Sequence, residues 1–401
     1  MKYWRGYIVA IGLALISFGL TQFAAAHSNL VDMVYPYATR LVQDFLAEWS
    51  AGLDFCLWQV LAVALVVVFL ASVAALIIFR WNIFQWLGWV LTGASLLWCL
   101  HTGMYGLNQY ASPLAEDIRL NMVVVGDSTT PLINATTYFR DKANELALQV
   151  PRDESGNIKA PAFAEVAEKA GNGFDYLVYE KNYPVFAGVT TPVKELGWAD
   201  MYSSMGITGF FCGITGEAAV NPQIPHVTLP FCMAHEMSHR KSIAVERDAN
   251  FAAFLACQAN DNKEYNYSGY FMAYRYCLSQ LKTLDMAAAR DIMAQERPEL
   301  SRDMEAYDVF FKSRKNDKAT ELADTVNDTY LKANGDEKGI ESYNDVCGLL
   351  VNWYVQEVLG PMYTQEEITF DPYDESQVDL SGITNAVIVE TQPTEPVGGV
   401  G

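Results

Sequence analysis

His235-Glu236-Met237-Ser238-His239 is an HExxH run. On a helix, residues four apart share a face, so both imidazoles point at one ion. The glutamate between them falls about 100° round the helix from His235, near enough to hold a water without ligating the metal. These residue types at this spacing suit metal-assisted hydrolysis, with ring nitrogens for zinc and a carboxylate as general base. The chain has only five histidines, and chance places HExxH in fewer than about one chain in a hundred of such composition.

A catalytic zinc takes three protein ligands and keeps one position open. Glu246 is the leading candidate for the third. On an unbroken helix it would lie about 10 Å beyond His239, too far to share an ion. The chain must therefore turn between Arg240 and Val245, and a second helix must start near Val245 and run back along the first. On that helix Glu246, Ala249, Asn250, Ala253 and Cys257 share a face. Its small residues permit close approach, and Asn250 is placed to hydrogen-bond a ligand. Glu246 and Asp248 also fit ordinary first-turn carboxylates. Glu217, within Thr215-Gly216-Glu217-Ala218, is the alternative ligand. Nearby Asn221 suits a turn, or a backbone site where a peptide adds as a strand. Tyr267 offers a hydroxyl to an oxyanion, although with twenty-two tyrosines in the chain helix packing fits it as well. His226, beside Pro225, reads as a loop histidine.

The elements that must position these groups are mostly helical. Apolar periodicity predicts helices over 229–241, 245–259, 267–283, 284–296, 300–314, 318–333 and 340–359, with 137–149 and 161–170 upstream. Residues 202–228, rich in Gly, Pro, Thr and Asn, read as loop with short extended pieces. Arg240 and Lys241 suit the negative end of the metal helix.

Residues 7–26 and 56–79 run uncharged for the length a bilayer-crossing helix needs, and 83–103 forms a third such segment. Only Arg80-Trp81-Asn82 separates the last two, which predicts an antiparallel hairpin. Lys2, Arg5 and Arg80 then share one side, the cytoplasmic one by the positive-inside bias, and the chain leaves on the other near residue 104. Residues 7–26 also fit a cleaved signal peptide, with Ala24-Ala25-Ala26 as the cleavage site. The linking stretch 27–55 is amphipathic around YPYATRLVQDFLAEWS.

The net charge is −20, and residues 1–110 are neutral, so all of it falls on 111–401. Such acidity argues against nucleic acid and against docking on anionic lipid. The seven cysteines have wide spacing and no CxxC, so they read as buried thiols, with Cys212–Cys232 the one conceivable pair. The last thirty residues, 372–401, lose apolar periodicity and are expected to be disordered.

The block HEMSHRKSIAVERDANFAAFLAC resembles the zinc-binding part of gluzincin-type peptidases, where HExxH precedes a Glu within ExxA(D/N). Here that motif is Glu246-Arg247-Asp248-Ala249-Asn250, and the resemblance implies Glu246 as third ligand. From about residue 35 to 360 the chain also resembles a bacterial membrane family, the domain-of-unknown-function family numbered 3810. YPYATRLV, YGLNQYASPL, TGEAAVN, PFCMAHEMSH, ERDANF and YNYSGYF carry that resemblance. The family often has Gly in the turn after HExxH, where this chain reads Arg240-Lys241-Ser242-Ile243.

The expected fold is mainly α: transmembrane helices in 1–110, then a mostly helical, gluzincin-like zincin domain over 111–371 with a short extended region, then the tail. The expected function is that of a zinc metallopeptidase in the bacterial cytoplasmic membrane, a multi-pass hydrolase with a cytoplasmic N-terminus. It would cleave extracytoplasmic or membrane-proximal peptides, with His235, His239 and Glu246 on Zn2+ and Glu236 as general base. A non-catalytic metal-binding membrane sensor or envelope assembly factor is the alternative, and an intact Glu236 argues against it.

Overall fold

The computed structural model describes residues 2–122, 129–314, 316–333 and 346–360. The expected tail over 372–401 and part of the helix expected over 340–359 lie outside these.

Four long helices come first: α1 (Arg5–Ala26), α2 (Ser28–Ala51), α3 (Leu57–Ile78) and α4 (Ile83–Met104). α1, α3 and α4 are each long and apolar enough to cross a membrane. Almost nothing of α3 or α4 is buried against protein, as expected of helices that leave their apolar sides to lipid. α1 packs along α4 where both lack a side chain. A β-carbon on Gly6 would collide with the backbone of Gly88, and Thr92 Oγ1 donates to the Gly6 carbonyl at 2.8 Å. Small residues at such crossings let two backbones approach. α3 and α4 meet through Trp86 Nε1, which donates to Ser72 Oγ at 3.1 Å. Between them Arg80 takes the left-handed conformation, φ 48°.

The remaining helices are α5 (Leu114–Asp117), α6 (Thr129–Ala147), α7 (Phe163–Ala167), α8 (Asn172–Tyr179), α9 (Ala199–Ser204), α10 (Leu229–Arg240), α11 (Glu246–Ala259) and α12 (Lys263–Leu284). After these come α13 (Met286–Met293), α14 (Pro298–Arg314), α15 (Asp317–Ala333) and α16 (Val346–Trp353). A short sheet interrupts them, made of β1 (Lys194–Glu195), β2 (Gly209–Cys212) and β3 (Glu217–Val220) in the order β1-β3-β2. β3 is buried throughout. It pairs parallel with β1 and antiparallel with β2, with Gly209 opposite Val220 and Cys212 opposite Glu217. β2 is thus an edge strand beside α10.

The main core lies between α6, α10, α11, α12 and α16. Phe139, Phe254, Tyr270 and Trp353 meet there ring against ring, with Phe254 and Trp353 centroids 4.8 Å apart, and such aromatic pairs add to simple burial. α11 is lined with alanines, and α8 comes so close to it that a β-carbon on Gly173 would overlap the Ala256 carbonyl. α11 is therefore fixed from both sides, which sets the position of its first residue, Glu246.

All seven cysteines are free. Cys212 and Cys232 are not joined, while the Cys277 and Cys347 sulfurs lie 3.8 Å apart in the core.

Candidate metal centre

HExxH occupies the last turns of α10, and the chain reverses at once. Lys241 N–H donates to Met237 O, Ser242 N–H to His239 O, and Ile243 N–H to Ser238 O, at 3.0–3.2 Å. The last two bonds are the paired 5→2 and 6→1 bonds of a Schellman turn, which satisfy the otherwise unpaired carbonyls of a helix end. Such a turn needs one residue in the left-handed region, and Ser242 takes it with φ 71°. Val245 is extended, and α11 starts at Glu246.

The reversal brings three donor groups together. His239 Nε2 lies 3.1 Å from His235 Nε2 and 3.6 Å from Glu246 Oε1, and His235 Nε2 lies 3.2 Å from Glu246 Oε2. Among the described residues this is the one cluster of at least three His, Cys, Asp or Glu that suits a metal. The turn also fixes a tautomer. His239 Nδ1 donates to the Ile243 carbonyl at 2.8 Å, which leaves the Nε2 lone pair free to face the cluster. The Tyr105 hydroxyl lies 3.2 Å from the same Nδ1, and its ring packs edge-on against Phe211 of β2.

Converging lone pairs on two histidines and a carboxylate repel unless positive charge sits among them. Without a metal, a proton supplies it. Burial alone would lower the His239 pKa, but the charge and hydrogen bonds of Glu246 outweigh it and raise His239 to about 9. Burial would raise Glu246, but the two histidines hold it far below the usual carboxylate range. Burial pushes Glu236 up to about 7; Glu246 adds to this, and the histidines oppose it.

Glu236 is nearly buried, and β2 makes room for it. A β-carbon on Gly209 would run into the Glu236 carboxylate. Cys232, one turn before Glu236, has its thiol pushed up to about 12 by burial and by Glu236, which keeps it protonated and inert.

The end of α10 is anchored from beneath. Arg240 donates to Thr191 O at 2.6 Å and Lys241 Nζ to Gly188 O at 3.2 Å, both side chains buried. They complement the helix end as the sequence suggests, and they also tie it to the 188–191 segment. On the other side α2 holds the turn: Thr39 Oγ1 lies 3.2 Å from Ser242 Oγ, and Arg40 Nε donates to Lys241 O at 3.3 Å. Asn108 donates to Thr39, and Gln109 to the Ala244 carbonyl.

The other sequence candidates fall in different places. Glu217 is not at the cluster: its carboxylate accepts from Leu57 N–H and Trp58 N–H at 2.8 and 2.9 Å and pairs with Lys194 Nζ at 2.8 Å. It caps α3, and this use of both oxygens replaces the ligand role considered for it. Tyr267 donates to Asp303, which also pairs with Arg152, so its hydroxyl is spent in the helical core and not on an oxyanion. Asn250 lies one turn beyond Glu246 and accepts from the Tyr276 hydroxyl at 3.1 Å. Asn221 forms a turn, accepting from Gln223 N–H, and His226 contacts Glu264. Sequence reasoning missed Tyr105, Gly209 and the Ile243 carbonyl. Tyr105 opens one of the family-like blocks, which was the available signal for it.

Three helices long and apolar enough to cross a membrane, and a helical domain whose described residues hold one half-buried His–His–Glu cluster, define the class to which this molecule belongs. The chain is a member of the family described as "Protein of unknown function (DUF3810)", whose profile matches residues 32–351. No curated protein and no solved structure matches it.

Proposed function

We propose that the chain is a membrane-anchored zinc metallopeptidase of the gluzincin type. The convergence of the three donor groups carries this reading. Zinc binds histidine nitrogen and carboxylate oxygen at roughly 2.0–2.2 Å, so tetrahedral ligands stand about 3.3 Å apart. The two histidine nitrogens stand 3.1 Å apart, each lies 3.2 or 3.6 Å from one of the two Glu246 oxygens, and one donor atom from each residue lies within 4.8 Å of the others, close enough for one ion to draw them in. Bound at His235, His239 and Glu246, zinc supplies Lewis acidity to a carbonyl and lowers the pKa of a water.

The chain's own residues do the rest. Glu236, set against Gly209, takes the proton of the attacking water and returns it to the leaving amine. β2 is an edge strand beside α10, so a substrate peptide pairs with it by strand addition, its scissile bond facing Glu236. α1, α3 and α4 cross the bacterial cytoplasmic membrane with Lys2, Arg5 and Arg80 inside and the metal domain outside. The packing of Gly6 on Gly88 favours α1 as a retained span over a cleaved leader.

Metal content of the detergent-purified protein tests the proposal. Wild type should carry close to one zinc per chain, and Glu246→Ala should lose most of it. No metal in either protein after zinc is supplied would overturn it.

A further inference from the structure

α2 has two unlike faces. Its inward side chains hold the metal domain: Thr39 at Ser242, Arg40 at the Lys241 carbonyl, and Gln43 Nε2 donating to Gly213 O at 2.9 Å. Its outward row, Leu30, Val34, Tyr37, Leu41, Phe45 and Trp49, follows helical spacing and is 49–73% exposed. Of the charged residues on α2, Arg40 points inward, Asp32 and Asp44 are half-buried, and only Glu48 stands exposed, beside Trp49. An apolar row of this length facing water would be unusual for a soluble surface.

Two hydrogen bonds fix how α2 lies. The Tyr35 hydroxyl donates to Thr102 O at 2.8 Å, and Gln43 Nε2 donates to Met104 O at 3.1 Å. The donors are about 12 Å apart along α2, yet their acceptors are two residues apart at the end of α4. α2 therefore runs across the end of α4 and does not continue it. Its own ends are tethered as well. His27 alone separates it from α1, and residues 52–56 join it to α3. With α1, α3 and α4 spanning the bilayer, the chain emerges at residues 26, 57 and 104 on one surface. A helix of 24 residues, about 36 Å long, has no slack to leave that surface.

We infer that α2 is an interfacial helix, lying in the plane of the membrane with its Leu30–Trp49 row inserted at the boundary between headgroups and acyl chains. Tyr37 and Trp49 suit that depth, where aromatic rings keep a polar edge in water. The row is apolar and the chain carries −20, so insertion of hydrocarbon and not attraction to anionic lipid makes the contact. Because the opposite face of α2 touches the turn after His239, the metal cluster sits about one helix diameter, roughly 10 Å, above the lipid. On the peptidase reading, this selects substrates that are themselves membrane-tethered, cut in their juxtamembrane segments. The placement of α2 rests only on the three spans.

Spin labels on the full chain in phosphatidylcholine nanodiscs test it. Labels are attached at Leu41→Cys, Phe45→Cys and Val34→Cys, with Cys99 and Cys212 replaced by Ala. Val66→Cys in α3 reports the acyl region, and Glu154→Cys reports water. Relaxation by oxygen is compared with relaxation by a water-soluble nickel chelate. The α2 labels should show an oxygen-to-nickel ratio several-fold above Glu154→Cys and at or below Val66→Cys, and any two of the three sites suffice if one variant fails to fold. Ratios equal to Glu154→Cys with a lipid-like Val66→Cys would overturn the inference and leave the anchor intact. A water-like Val66→Cys would overturn the spans and the inference together. Low access to both reagents with dipolar broadening would place a second copy on the row and also overturn it. None of these readouts depends on peptidase activity.

Discussion

His239 Nδ1 donates to the carbonyl of Ile243 across 2.8 Å, so the turn that ends the metal helix is fastened to one of the cluster's own side chains. The bond exists because Ser242 enters the left-handed region and swings residue 243 back over the helix end.

That geometry makes Ser242 the sensitive point of the turn. Ser242 already bears the left-handed penalty of a residue with a β-carbon; a β-branched residue there adds further crowding and gives up the contact with Thr39, worth roughly 1 kcal/mol. Ser242→Val should lower stability by at least about 1 kcal/mol, with the β-branch crowding added to it. It should also weaken zinc binding some 10- to 100-fold, as loss of ligand orientation does. Ser242→Gly relaxes the backbone while losing the same hydroxyl, and should stay within about 1 kcal/mol of wild type. Denaturant midpoints and zinc titrations report both. Equal tolerance of Val and Gly would show that the turn does not hold the ligand.

On the peptidase reading, Glu236 is where metal binding and catalysis separate. Glu236→Gln keeps the shape and removes the proton acceptor, so zinc content should be unchanged while kcat falls by about 10²–10⁴. Gly209→Ala tests the same carboxylate from the strand side. The clash meets the far end of a flexible side chain, so the protein should fold and keep zinc. The displaced carboxylate should still cost up to roughly 10²-fold in kcat. Full activity in Glu236→Gln would take Glu236 out of the reaction, and full activity in Gly209→Ala would show that β2 does not position it.

Glu217 should matter for stability and not for metal. Glu217→Ala leaves two α3 N–H groups without their acceptor and removes the counter-charge of the mostly buried Lys194 ammonium, which keeps only its bonds to the Ser50 and Phe55 carbonyls. Removing one partner of such a buried pair costs about 3–5 kcal/mol. Thermal unfolding in detergent should show that loss, while zinc per folded chain stays near wild type. Loss of zinc at unchanged stability would put Glu217 back among the ligands.

The HExxH helix, the second helix from residue 246 and all three long apolar helices were legible because each is a local pattern. HExxH, a turn followed by first-turn carboxylates, and runs of about twenty apolar residues all announce themselves in neighbouring positions. The sheet was only partly legible, since strands of two to four residues carry too little alternation. Glu217 was misplaced because a carboxylate at a helix N-terminus far along the chain leaves no local trace. The supports of the turn were hidden for the same reason: Thr39 and Ser242 are 203 residues apart, and Tyr105 and His239 are 134 apart. Their one trace was that YPYATRLV and YGLNQYASPL, far from HExxH, belong to the family-like blocks.

Zinc and a proton should compete for the cluster, and pH should show it. Metal-free His239 has its pKa raised to about 9 by Glu246, against about 6.5 in an unfolded chain. A raised histidine stabilises the fold fully below the unfolded value and loses that contribution as pH rises through the folded one. Metal-free protein should therefore lose stability between about pH 6.5 and 9. Over the same window zinc must displace the proton, so its Kd should fall about tenfold per pH unit and level off above pH 9. Glu236, held near 7, releases part of a proton as well, so the Glu236→Gln protein isolates the histidine. Calorimetric titration of that variant at pH 7.5, in buffers of different ionisation enthalpy, should give close to one proton released per zinc. Release near zero would mean that His239 is already neutral without metal, and that the positive charge the three donors require comes from elsewhere.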